Sequence, residues 1–153
     1  MKFRCERDAL VEQLSTASRA VSSRGGALPV LTGIHLKAHK DVLTMTGSDL
    51  EITVRASVSV AVTESGEAVL PSRIVVDIIR SLDSGAIEVE VAEEEAKISG
   101  GRSQFSVRTL PVDDFPSLSD PKGDEVTVST ADLAAGLKQV VRAASGDDAR
   151  PIL

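Results

Sequence analysis

Residues 126–153 read VTVSTADLAAGLKQVVRAASGDDARPIL, and residues 3–31 read FRCERDALVEQLSTASRAVSSRGGALPVL. Set one under the other at an offset of 123, Leu10 falls on Leu133, Leu14 on Leu137, Arg19 on Arg142, Ala20 on Ala143 and Ser22 on Ser145. With one residue dropped in the loop, Pro29-Val30-Leu31 falls on Pro151-Ile152-Leu153. Two amphipathic helices match on Leu and Ala easily, but a matching loop and a matching tripeptide behind it are harder to reach by chance. The order strand, helix, glycine-containing loop and Pro-apolar-Leu therefore reads as an internal duplication. The second copy holds only a first strand, a helix (131–144) and the start of a further strand, so the chain is expected to be cut from something longer. Such a piece has no core of its own, and residues 125–153 are expected either to pack on the first unit or to stay loosely ordered.

Inside the first unit the pattern also restarts. KFRCE alternates as a strand, and residues 7–21 place Leu10, Leu14, Ala17 and Val21 on one helical stripe. After the loop SSRGGALP come VLTGIHLKAH, VLTMTGSD, EITVRASV and SVAVTESG, short β-branched segments that predict an antiparallel meander. Then EAVLP is a strand, SRIVVDIIRSL (72–82) a helix opened by Pro71, and AIEVEVAEEEAKISGGRSQFSVRTLP three more strands. VDDFPSLSDPKGDE, polar and carrying two prolines, reads as a linker. The expected organisation is a first domain over 1–118, a linker over 119–124 and a second domain beginning at 125.

The 153 residues are 42% hydrophobic but only 2% aromatic, enough apolar content for a core built of Val, Ile, Leu and Ala. No apolar run approaches a membrane span, and MKFRCERDAL lacks the apolar region of a signal peptide. With a single cysteine, Cys5, no disulfide framework is possible, and a reducing cytoplasm is expected. A net charge of −6 argues against nucleic acid when taken alone. Its distribution tempers that. Arg7 and Arg19 offset Asp8 and Glu12 in the first helix. Each of the other two helices carries one net positive charge, so the rest of the chain is more acidic than the −6 total. The absence of Trp and Tyr argues against a stacking platform for single strands.

Five ordered stretches, MKFRCERDAL, LPVLTGIHL, LTMTGSDLEITV, VLPSRIVVDIIRSL and GRSQFSVRTLPVDDFPSL, resemble the bacterial DNA sliding clamp, the beta subunit of DNA polymerase III. They span residues 1–118, and the second copy continues the likeness to residue 153. The resemblance implies an α+β DNA clamp fold, with antiparallel sheets outside and two helices per domain lining the channel of a ring. In the family three such domains form a subunit and two subunits close head to tail, so this chain corresponds to domain one and a truncated domain two. It implies a non-catalytic processivity factor that encircles double-stranded DNA and tethers the replicative DNA polymerase. Its implied partners are an ATP-driven clamp loader, other replication and repair proteins and a second copy of the subunit, with no cofactor. Residue by residue, it implies DNA contact for Arg24 and Arg73, a subunit interface at Ile74, Ile78 and Phe105, and one wall of a partner-peptide pocket at Leu153.

Each assignment has a plainer counterpart. Arg24 could be an exposed loop arginine, Arg73 an exposed helix arginine, and the three apolar residues ordinary core. Asp147 and Asp148 stand where the second copy would carry Arg24, and acids there would repel phosphate. The strand bearing Phe105 is expected at a sheet edge, open to association when unpaired. Enzyme readings find little to hold. SSRGG lacks the Lys-Ser/Thr of a phosphate loop, and no nucleophile, base and acid set stands out. His35 and His39 share one strand face, but Lys37 lies between them and no third ligand is evident. Asp113-Asp114 reads as a solvated loop pair. The competing reading is a truncated, clamp-like interaction module that does not encircle DNA.

Overall fold

The computed structural model describes residues 1–22, 28–118 and 123–145. Arg24, Asp147, Asp148 and Leu153 lie outside the described residues. The chain divides into two compact units, Met1–Ser117 and a second that starts at Leu118.

The first unit opens with β1 (Lys2–Glu6), which turns Phe3 and Cys5 inward and Lys2, Arg4 and Glu6 to the other face. Helix α1 (Arg7–Ala17) follows at once and buries Leu10, Leu14 and Ala17. No side chain caps its start; the Arg7 backbone N–H instead donates to the Gly85 carbonyl at 2.9 Å. The expected helix to residue 21 stops at Ala17 and tightens into a 3₁₀ turn over Ser18–Ala20, with the Ser18 hydroxyl donating to the Ser15 carbonyl. Here the chain presses on its neighbour. A Cβ at Gly47 would lie 2.1 Å from the Ala17 carbonyl oxygen, so only glycine lets the helix end rest on that strand.

Residues 29–32, expected as the head of a strand, form a second 3₁₀ turn because Pro29 fixes its own φ and Leu31 N–H donates to Leu28 O. Then come β2 (Gly33–His39), β3 (Val42–Ser48) and β4 (Thr53–Ser59). β4 starts later than the alternation suggests. The Asp49 carboxylate accepts from Glu51 and Ile52 N–H at 3.0 and 2.7 Å, an Asx turn that holds residues 49–52 out of the ladder. β5 (Ala61–Glu64) then departs from the expected meander and crosses to the other sheet. Asp41 pins that corner: its carbonyl takes Val60 N–H and its carboxylate takes Val62 N–H.

The second half repeats the plan with β6 (Gly66–Pro71), α2 (Ser72–Ser81), β7 (Ala86–Ala92), β8 (Glu95–Gly100) and β9 (Ser103–Arg108). The halves exchange their leading strands. β1 pairs with β7 of the second half, and β6 pairs with β2 of the first. Two antiparallel sheets result, ordered β5-β1-β7-β8-β9 and β4-β3-β2-β6. Leu10 and Leu14 of α1 and Val75 and Ile79 of α2 meet Phe3, Leu36, Leu70, Val89 and Ile98 from both sheets in one core. Each such side chain contributes about 1.5–3 kcal/mol on leaving water.

After β9 the stretch read as linker does not all behave as one. Leu110, Val112 and Phe115 pack on a separate small cluster of Val30, Leu31 and Val69.

In the second unit, α3 (Thr130–Val140) is capped by the Ser129 hydroxyl, which accepts from Asp132 N–H at 3.4 Å, and a 3₁₀ turn over Val141–Ala143 follows. None of its residues is buried, and Leu133 and Leu137 remain 51% and 50% exposed. Val126–Val128, expected as a strand, forms none among the described residues, because a strand exists only against a partner.

Candidate functional site

Two surfaces carry the sequence-derived candidates: the outer side of the helices and the β9 edge. α2 leaves β6 without a loop. Pro71, the last strand residue, stands at its N-cap, where a missing N–H costs nothing. With Ser72, Val75, Val76 and Ile79 turned inward, Arg73, Ile74, Asp77 and Arg80 face out. Arg73, Asp77 and Arg80 follow a helical ridge beside a shallow groove whose far wall holds Ser18, Ser22 and Thr32. Arg73 sits in the first turn, exposed, and among the described residues no hydrogen bond or ion pair engages its side chain.

Arg7 and Arg80 differ. Arg7 Nε donates to the Ile79 carbonyl at 3.2 Å, its Nη2 donates to the Arg80 carbonyl, and its Nη1 meets Asp8 at 2.6 Å. Arg7 thus caps the carbonyl end of α2, where a cation suits the helix dipole. Arg80 answers across the same contact, its Nη2 donating to Ser15 Oγ on α1 at 2.9 Å. The simple charge count of the helices therefore overstates what they offer a ligand.

Opposite charge collects on the strands. On the face of β1 and β7 away from the core, Lys2 Nζ lies 3.0 Å from both Glu88 and Glu90. Hydrogen bonds to Glu90 and Glu88 hold the Lys2 ammonium above its ordinary value, and Lys2 in turn holds Glu90 below its own. Cys5 is buried, and desolvation pushes its thiol up to about 11, which leaves it protonated and unreactive.

At the second surface, β9 is the outermost strand of the five-stranded sheet and, among the described residues, pairs only with β8. Phe105 stands opposite the fully buried Ile98, so it points to the core side, yet at this margin it stays 37% exposed. α2 lies against β9. It brings exposed Ile74 (53%) and half-buried Ile78 to the same side of the domain. An open row of backbone donors and acceptors flanked by apolar side chains is the chemistry of strand addition.

Sequence reasoning missed where His35 goes. It does not join His39; its Nε2 lies 3.0 Å from Glu67 Oε2, and its ring stacks on Phe115 with centroids 5.1 Å apart. Among the described residues no group of three metal-binding side chains assembles. Asp113 and Asp114 are exposed.

The comparisons with known proteins agree with this architecture. The family model for the DNA polymerase III beta subunit, N-terminal domain, matches residues 1–119. A beta sliding clamp of Streptomyces coelicolor is 35% identical over 153 residues, covering all of this chain and 40% of its own length. One from Vibrio harveyi is 38% identical over 136 residues, 87% of this chain and 93% of that sequence. The crystal structure of the DNA polymerase III subunit beta from Pseudomonas aeruginosa superposes with a TM-score of 0.86 at 30% identity, covering 98% of this chain and 41% of that one. The chain thus spans about two-fifths of the Streptomyces and Pseudomonas proteins. With a matching family model over most of its residues and the same two sheets and paired helices, the chain belongs to the DNA polymerase III beta subunit family, the bacterial sliding clamps.

Proposed function

We propose that this chain supplies domain one and the opening of domain two of a ring that encircles duplex DNA and tethers the replicative polymerase to its template. The observation that carries the reading is the open β9 edge beside exposed Ile74 and Phe105, on a domain of the clamp fold. An unpaired edge with an apolar lock asks for a second chain, and head-to-tail addition at such edges closes a ring. Phe105, Ile74 and Ile78 are assigned to that subunit contact.

Arg73 is assigned to phosphate contact, with Arg24 of the SSRGGALP stretch as its companion. Both are weak, non-specific contacts whose strength falls with salt. The acidic strand face would keep DNA off the outside. The chain acts without catalysis: a polymerase held on the ring meets its primer end again instead of diffusing away. Because a closed ring cannot thread onto circular DNA, loading requires an ATP-driven loader, and the polymerase and other replication and repair proteins bind elsewhere on the ring. Leu153 is assigned to the wall of their peptide pocket. The work is done in the reducing cytoplasm.

The test uses this chain continued to the length of its relatives and loaded on nicked circular plasmid. Retention that is lost on a single restriction cut supports a topological hold. Equal retention on circular and linear DNA overturns it in favour of direct affinity. Failure to be retained even with loader and ATP favours a DNA-free interaction module.

A further inference from the structure

We propose that Leu110–Ser117 is a strap that opens as one piece without unfolding the domain, and that His35 is the residue that locks it. The strap sits on the four-stranded sheet on the side away from the main core, yet its backbone makes little contact with that sheet. Among the described residues one isolated antiparallel bridge, between Val69 and Leu110, ties it there, with Leu110 N–H donating to Val69 O at 2.8 Å, and the Phe115 N–H bond to Val112 O at 3.0 Å stays within the strap. Every strand of the core, by contrast, is held along a ladder. What seats the strap is therefore side-chain packing, and the sheet is shaped to receive it. A Cβ on Gly33 would come within 2.5 Å of Val69 Cγ1 and 2.9 Å of Leu110 Cδ1, so the glycine leaves the hollow that Leu110 fills.

His35 supplies the other half of the seat. Its side chain is only 18% exposed, and its ring lies nearly parallel to Phe115, at 22°. The ring is fixed from beneath by the strands themselves. Glu67 on β6 takes the imidazole on one oxygen and Lys37 Nζ, at 2.8 Å, on the other. Phe115 thus meets a platform whose orientation is already set, and docking does not have to immobilise it. An aliphatic residue at position 35 could touch Phe115 but would have no partner to hold it flat. A single bridge to the sheet and only partly buried apolar side chains, set beside a laddered core, are the pattern of a segment that opens separately.

The strap is also the chain's road out of the first unit. Its release adds eight residues to the tether between the units, up to roughly 26 Å of reach at 3.3 Å per residue. Under the ring reading, and resting on it, the strap sets the length of the joint between domains one and two.

The test is hydrogen exchange by NMR on the 153-residue chain, without DNA, so its outcome is independent of the ring reading. In His35→Ala and Phe115→Ala the Leu110 and Phe115 amides are expected to exchange at least about tenfold faster, with the β8 amides unchanged. Lys37→Ala should leave both sets near wild type. His35→Phe, which keeps the stack and loses Glu67, should fall between. Unchanged Leu110 and Phe115 exchange in His35→Ala overturns the lock. Acceleration of the β8 amides in step overturns separate opening. Full wild-type protection in His35→Phe overturns the role given to Glu67.

Discussion

Helices α1 and α3 are built on the same pattern and meet opposite fates. Leu10 and Leu14 are buried, whereas Leu133 and Leu137, their counterparts, are half exposed. Local signals would rank them the other way. Both carry an aspartate in the first turn, but α3 has a serine cap and α1 has no side-chain cap at all. The difference teaches that an apolar stripe is a request for a partner rather than a source of stability. α1 receives two sheets and a second helix, whereas no residue of α3 is buried.

The comparison can be broken most severely at Gly47. Gly47→Ala drives a Cβ into the Ala17 carbonyl and should cost more than about 4 kcal/mol, a large part of a typical domain's stability, measured by urea unfolding. Survival near wild-type stability would mean that α1 is not seated as tightly as described. Next, Leu14→Ala should cost about 3 kcal/mol and Leu137→Ala less than about 0.5, a contrast between equivalent positions that one denaturation series reads directly. Equal losses would show that Leu137 has found a partner.

Ser129→Ala should remove about 1 kcal/mol from α3 alone, seen as lost helical circular dichroism with the main unfolding midpoint unmoved. The smallest effect is electrostatic. Hydrogen bonds from Lys37 and then His35 hold the Glu67 carboxyl below its ordinary 4.5. A depressed carboxylate contributes stability above that value and loses it as pH falls through the folded one. Glu67→Gln should therefore match wild type less well near neutrality than in acid. Wild type and variant falling in parallel below about pH 4.5 would remove Glu67 from the account.

Much of the first unit was legible because its signals are local. α2 declares itself through apolar spacing, and β9 through its position at the end of a meander. What escaped depends on contacts between residues far apart in the chain. Arg7 looks like a helix-surface charge until the carbonyl of Ile79, 72 residues on, comes to it. His35 suggests a pairing with His39 until Glu67, 32 residues away, and Phe115 claim its ring. β5 follows the alternation of its neighbours, and nothing in its own residues shows that it joins the other sheet. At the candidate site the outward side of α2 that carries Arg73 and the edge position of the Phe105 strand could be anticipated. The immobilisation of Arg7 and Arg80 could not, since charge is written in the sequence and its engagement is not.

The reciprocal arginines also say how the helix pair resists force. Arg7 is anchored to the end of α2 and Arg80 to the flank of α1, like two rivets set through one seam. Slippage of one helix past the other by a single residue, about 1.5 Å, would pull donors and acceptors beyond bonding distance at both rivets together. Peeling the helices apart from one end would break them in turn. The pair is therefore stiffest against shear along its own axis and most yielding to a load that pries it open.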